Sequence, residues 1–249
     1  MPTISIAGGD TATPLNLAKR LSIIAEHVSR PARILDAGCG AGCYVQALGG
    51  MGYEVVGVEY LASKVAAWQS RNPGDPRVHR ADIALLPFRD ESFDAVILNE
   101  VLEHVPDDRA VLTEVARVLR WRGLLLVFSP NRRFPFETHG LHHRTDGHSI
   151  PPVRTFGFPW LPAAIGERLA MPWARNYWPS ELQRLVRASG FHIYRTTYVW
   201  QTFENISRAR GRLLTASAPL LRRVANALER LPLLRTFGAS QVIIAEKLS

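Results

Sequence analysis

The chain has 249 residues, 47% of them hydrophobic, with a formal net charge of +8. This fits one sizeable α/β domain with elaborations; no apolar run approaches the roughly 18–20 residues that cross a bilayer, and the N-terminus lacks the basic-then-apolar pattern of a signal peptide. The two cysteines, Cys39 and Cys43, are too close for a disulfide framework and too few for a zinc site, so reduced thiols and a cytoplasmic setting are expected.

Residues 14–29 predict a helix. Thr13 can cap it, Pro14 suits its first turn, and Leu17, Leu21, Ile24 and Val28 make one apolar stripe. Strands and helices then alternate: strand 33–37, helix 42–49, strand 54–58, helix 62–70, strand 78–81, strand 93–98, helix 107–119 and strand 123–129. This order predicts a parallel sheet covered by helices on both faces.

Residues 130–178 are rich in Pro, Gly, His and aromatics and lack clean periodicity. A long irregular stretch in a compact domain reads as a functional lid, with one short helix at 161–169. Regularity returns in a helix at 179–189, stopped by Gly190, and in strands at 191–200 and 240–246. The expected organisation is a single domain: N-terminal helix 1–30, ligand-binding core 31–129, lid 130–178, and a basic insertion 202–238 before the last strand.

The insertion holds Arg208, Arg210, Arg212, Arg222, Arg223, Arg230 and Arg235 against Glu204 and Glu229, a net +5 of the total +8. Its Leu213, Leu214, Leu220, Leu221, Val224, Leu228 and Leu231 fall at helical spacing. A basic amphipathic element of this kind suits an anionic membrane surface. Nucleic acid is the rival partner and the less favoured one, since no stacking array accompanies the charge.

The most specific pattern is Asp36-Ala-Gly38-Cys39-Gly40-Ala-Gly42, following the first core strand. Glycines let a loop turn sharply and approach a ligand closely. A dinucleotide loop reads Gly-x-Gly-x-x-Gly and receives a pyrophosphate; here the third glycine comes one residue early. Asp36 would repel pyrophosphate and instead suits a cationic ligand, such as the ammonium of a methionyl group beside a sulfonium. Glu59, 23 residues after Asp36, lies where a carboxylate can accept ribose hydroxyls, with Tyr60 next to it. After the third strand, Asp82 can accept an adenine amino group and Ile83 can pack on the ring.

Residues 34–42, Glu59, Ala81-Asp82-Ile83 and the run from Phe93 to Val105 together resemble a class I S-adenosylmethionine-dependent methyltransferase of the type 11 kind. The likeness is dense over residues 34–130 and returns at 179–191. It implies a Rossmann-like sheet of seven strands, mostly parallel, with the last strand antiparallel. It also implies S-adenosylmethionine as cofactor: Asp36, Gly38, Cys39 and Gly40 around the methionine part, Glu59 and Tyr60 at the ribose, Asp82 and Ile83 at the adenine, and Asn99 beside the cofactor. The implied activity is methyl transfer, with O-methylation of a small or lipid-linked metabolite expected first. An RNA methyltransferase using the Arg-rich insertion and a non-catalytic cofactor-binding domain are the alternatives.

Glu100-x-x-Glu103-His104 follows the fourth strand. On a helical turn positions i, i+3 and i+4 share a face, so these side chains are expected to converge. Some small-RNA 3′-end methyltransferases and quinone-pathway O-methyltransferases look similar here and hold magnesium, which would make Glu100, Glu103, His104 and a later histidine metal candidates. A bound metal would lower the pKa of an acceptor hydroxyl. The later histidine is one of His139, His142, His143 and His148, with His139 preferred as nearest the fifth strand. His139 and His104 are also the candidates for proton transfer. In other relatives the same string is metal-free and shapes the pocket floor.

Overall fold

Alternating side chains decide the architecture. Along the strand Arg33–Ala37 (β1), Ile34 faces one way and Leu35 and Ala37 the other. The same division holds in Phe93–Asn99 (β4), Leu119–Pro130 (β5) and Ser240–Lys247 (β10): Val96, Leu98, Leu125, Val127, Ile243 and Ala245 enter one core, and Ala95, Ile97, Leu126, Phe128, Val242 and Ile244 enter the other. A sheet buried on both faces reads as continuous apolar runs, as these strands do. The computed structural model describes residues 13–143, 147–150, 154–172, 174–202 and 212–248.

Glu54–Glu59 (β2), Val78–Arg80 (β3) and Phe191–Val199 (β9) complete a seven-stranded sheet in the order β3-β2-β1-β4-β5-β10-β9. β10 runs antiparallel to both neighbours, and the other pairings are parallel. One face is covered by Pro14–His27 (α1), Cys43–Gly50 (α2) and Ala62–Arg71 (α3), which bury Ile24, Tyr44, Val45, Leu48 and Trp68. The other is covered by Asp108–Val118 (α4) and Pro179–Ala188 (α6), which bury Val111, Leu112, Val115, Val118, Leu182 and Val186. Asp107 caps α4 by accepting from the Ala110 N–H at 3.0 Å. The expected fold class is thus the observed one, with boundaries moved by a residue or two. The largest change is in β5, which starts at Leu119 rather than 123 because Leu119 pairs with Phe93.

One region differs from expectation. The lid contains a small antiparallel sheet ordered β7-β6-β8, built from Leu141–His143 (β6), Ser149–Ile150 (β7) and Ala170–Pro172 (β8), beside the helix Ala163–Leu169 (α5). Strands of two or three residues carry too little alternation to be read in sequence. The insertion contributes the helix Arg212–Arg230 (α7), with Pro219 inside it. Glu204, Arg208 and Arg210 lie outside the described residues.

The sheet order reverses direction at β1: the chain goes on to β2 on one side and, later, to β4 on the other. Ligands of open α/β sheets bind outside the carboxyl ends of strands at such a switch point. Asp36, the last residue but one of β1, and Asn99, the last of β4, lie there.

Candidate active site

The loop after β1 is shaped by glycine. Gly38 has φ +87°, and a Cβ there would stand 2.5 Å from Val101 Cγ2. Gly40, at φ +57°, has no atom within 4 Å of where its Cβ would be, so the loop presents bare backbone to open space. The Gly38 and Cys39 N–H groups both donate to the Val58 carbonyl, at 2.8 and 2.9 Å, tying the loop to β2.

Asp36 is 1% exposed, and its Oδ2 is buried with no hydrogen-bond partner. Burial, and after it the charge of Glu59, push its carboxyl up to about 7. A buried carboxylate oxygen without a donor is costly unless a ligand satisfies it. Glu59 is also buried; one of its oxygens accepts the Leu61 N–H at 2.8 Å and the other lies 3.9 Å from Lys64 Nζ. Tyr60 is exposed, and so is Asp82, which accepts the Ala84 N–H at 2.9 Å; Ile83 packs into the core beneath. The Cys39 thiol packs among Val45 and Gly57, and burial pushes its pKa up, which leaves it an unreactive side chain. Both cysteines are free thiols, as expected.

Beyond β4 the structure corrects one geometric expectation. Glu100 is not on a helix: it has φ +57°, a left-handed backbone that non-glycine residues seldom adopt, and only Leu102–His104 forms a 3₁₀ turn. The left-handed turn, held by the Glu100 N–H donating to Phe128 O at 2.9 Å, replaces the shared helical face. Convergence is achieved across the lid instead. His139 Nε2 lies 3.5 Å from Glu100 Oε2 and 3.4 Å from Glu103 Oε1. Its ring meets that of His104 edge-on, with centroids 5.1 Å apart.

The two glutamates are held in opposite states. Burial would raise Glu100, but the Arg20 charge, the nearby His139 and hydrogen bonds from Ser240 and Arg20 hold it down to about 2. Burial and the Glu100 charge together push Glu103 well above the usual carboxylate range. Its Oε1 is buried and makes no hydrogen bond. Such an environment-driven split between neighbouring carboxylates characterises proton-transfer sites.

Three of the groups that build this site are not evident from the sequence. Arg20 is 2% exposed and comes from α1, whose buried face includes Asn16 and Arg20 as well as Ile24. Its guanidinium donates to Glu100 Oε1 and Ser240 Oγ, both at 2.7 Å, and to Asn99 Oδ1, and it stacks 5.1 Å over Phe128. Ser240 in turn donates to Glu100 Oε1 at 2.6 Å. Glu137, buried in the lid, accepts the His139 N–H at 3.1 Å and an Asn176 N–H at 2.5 Å. The polar Asn16–Arg20 pair, four residues apart on an otherwise apolar stripe, is the signal that could have found Arg20. His142 and His143 lie on β6 and His148 is exposed, so among the described residues His139 is the lid histidine brought to the glutamates.

Glu103, His104 and His139 offer one carboxylate oxygen and two ring nitrogens, all within 4.8 Å of one another. Glu100 is committed to Arg20 and Ser240. A small cavity, about 40 Å³, lies against Arg20, Glu100, His139, Trp200 and Ser240.

Residues 35–127 match the family model described as a methyltransferase domain. Over 99 residues the chain is 40% identical to a probable S-adenosylmethionine-dependent methyltransferase of Mycobacterium tuberculosis, covering 40% of this chain and 36% of that one. Over 119 residues it is 36% identical to a ubiquinone biosynthesis O-methyltransferase of Xanthomonas campestris, covering 45% and 49%. The matched stretch thus spans less than half the length of either relative. A solved S-adenosylmethionine-dependent methyltransferase from Methanosarcina mazei shares the fold, with a TM-score of 0.60 at 19% identity over 91% of this chain and 97% of that one.

Proposed function

We propose that this chain, which carries a class I S-adenosylmethionine-dependent methyltransferase domain, is an enzyme that methylates an oxygen of a small or lipid-linked acceptor. The observation that carries the proposal is Asp36. Its buried, unpartnered oxygen lies at the switch point of the sheet, beneath a loop of bare backbone. It fits the ammonium of a methionyl group and is unsuited to pyrophosphate.

When bound, S-adenosylmethionine supplies a methyl group on a sulfonium, open to in-line displacement. The chain's own residues do the remaining work. Asp36 and the Gly38–Gly40 backbone hold the methionyl end, Glu59 accepts a ribose hydroxyl, and Asp82 and Ile83 take the adenine. His139 accepts the proton of the acceptor hydroxyl, and the ionised Glu100, 3.5 Å from its ring, stabilises the imidazolium that forms, while Glu103 keeps its own proton beside them. A proton acceptor at the reaction centre is what a hydroxyl acceptor requires, and this favours oxygen. The name of the Xanthomonas relative, an O-methyltransferase, supports the same choice.

A divalent cation is the second reading, favoured by the unpartnered Glu103 Oε1 beside two imidazoles. Glu103, His104 and His139 would hold it, and it would acidify the acceptor hydroxyl. Two nitrogens and one carboxylate make a poorer set for magnesium than for manganese, iron or zinc, because magnesium prefers oxygen. Chelation separates the readings: turnover that survives it leaves His139 as the base alone, and turnover lost on chelation and restored by one metal installs the cation.

The test of the whole proposal is calorimetry with S-adenosylmethionine, followed by incubation of extracts with cofactor labelled in the methyl group. Binding together with label on an oxygen of one metabolite is expected. Absence of binding would overturn the methyl-transfer reading, and label on nitrogen or on RNA would overturn the acceptor.

A further inference from the structure

The helix α7 is attached to the body by its polar edge. Glu229 pairs with Lys19 of α1 at 2.5 Å, Asn226 accepts from the same lysine at 3.3 Å, and Arg222 donates to Thr202 O at 3.0 Å. Ala225 is buried on the same side. The apolar stripe points away: Leu220, Val224 and Leu231, which share one helical face, are 64%, 47% and 49% exposed. Beyond the helix Leu233, Leu234 and Phe237 are exposed too, so the apolar surface continues past Arg230. An amphipathic helix on a water-soluble body normally buries this stripe; a contiguous exposed one marks an interaction surface.

Arg223 and Arg230 stand exposed along one rim of the stripe, and residues 202–238 carry a net +5. A second copy of this face would bring like charge against like charge. No helix among the described residues is long and apolar enough to cross a membrane. We infer that the outward face of α7, with Leu233 and Phe237, docks the protein on an anionic lipid bilayer, lying in the headgroup plane.

Between α1, β9 and the insertion runs a cleft of about 270 Å³, lined by Lys19, Ile23, Tyr198, Val199, Glu229 and Arg235. Val199 also lines the small cavity at Glu100 and His139. Trp200, against that cavity, donates its indole N–H to Arg235 O at 3.2 Å. The cleft lies on the attached side of α7, where Lys19 meets Glu229, and the apolar stripe lies on the opposite side, so docking leaves the cleft facing the body rather than the headgroups.

The test is flotation of the full chain with vesicles of phosphatidylcholine alone and of phosphatidylcholine with phosphatidylglycerol. Binding to the anionic vesicles, weakened by salt, is expected. Leu220→Asp/Val224→Asp/Leu231→Asp should lower partitioning at least tenfold, and Arg223→Gln/Arg230→Gln several-fold. Unchanged partitioning of the triple variant overturns the docking proposal, as does absence of vesicle binding by the parent. So does a dimer in light scattering that the triple variant dissociates, or an RNA gel shift lost in the arginine variant and kept in the triple variant. Each variant is first titrated with S-adenosylmethionine: binding equal to the parent shows a folded domain, so that a docking failure is distinct from failure of the methyl-transfer reading.

Discussion

Arg20 and Glu100, 80 residues apart, form an ion pair at 2.7 Å with side chains only 2% and 9% exposed. The pair fastens α1 to the turn after β4, and Ser240 of β10 donates to the same carboxylate oxygen. Removing one partner of a buried pair leaves an uncompensated charge, so Arg20→Met should destabilise the chain by about 3–5 kcal/mol. Adding Glu100→Gln should recover much of the loss. Urea unfolding of the two single variants and the double variant measures the coupling.

The same pair fixes an acid sensitivity. The Glu100 carboxyl is depressed to about 2 from an ordinary 4.5. A depressed carboxylate contributes stability that is fully present above its unfolded pKa and lost as pH falls through the folded one. Stability should therefore drop between pH 4.5 and about 2. Glu100→Gln should flatten that part of the curve, as followed by circular dichroism in acid titration.

Asp36 behaves in the opposite sense. Its carboxyl is raised from 3.8 to about 7, so the folded chain keeps a proton that the unfolded chain gives up. Its contribution to stability is present at low pH and is lost as pH rises from 3.8 through about 7. A cationic ligand needs the carboxylate. Affinity for S-adenosylmethionine should rise up to roughly tenfold per pH unit below the folded pKa and level off above it. Asp36→Asn should bind more weakly with no such slope, as read by calorimetry across the range.

Proton transfer predicts a division between chemistry and binding. His139→Ala should lower kcat about 10²–10⁴-fold while leaving the dissociation constant for S-adenosylmethionine unchanged. Glu103→Gln, which keeps the neutral state that burial and the Glu100 charge impose, should leave kcat within a few-fold of the parent. His142→Ala and His148→Ala should leave both constants near the parent values, because neither ring reaches the glutamates.

Gly38→Ala places a methyl 2.5 Å from Val101 Cγ2 on a backbone at φ +87°. It should cost about 1–3 kcal/mol and weaken cofactor binding. Val101→Ala in the same chain should relieve the steric part and leave the conformational part. Thermal unfolding of the single and double variants separates the two.

The core was legible because its signals are local and redundant. Alternating apolar strands, α4 with its Val111–Val115–Val118 stripe, and the glycine loop each repeat their message within a few residues. The site was legible only in part. Asp36, Glu59 and the Glu100–His104 string are carried by one short segment each, so they could be named. Arg20 is flagged only by its pairing with Asn16 on an apolar stripe, and nothing near it in the sequence hints at a partner 80 positions away. His139 was singled out for its closeness to β5, while Glu137, which fixes its backbone, looked like one more loop acid. In the insertion the apolar stripe was evident, but its direction was set by Lys19 meeting Glu229, a contact that periodicity cannot reveal.

Sheet order has a consequence for the time course of assembly. β9 hydrogen-bonds to β10 and not to β5, so it joins the sheet only when β10 has slid between them. Ser240, the first residue of β10, brings the hydroxyl that completes the Glu100 cluster. Such non-local pairing is slow to form. Glu100 thus takes one of its donors from a strand 140 residues away, and β9 depends on that same strand for its place in the sheet. One strand, β10, therefore couples the closing of the sheet edge to the completion of the buried Glu100 cluster.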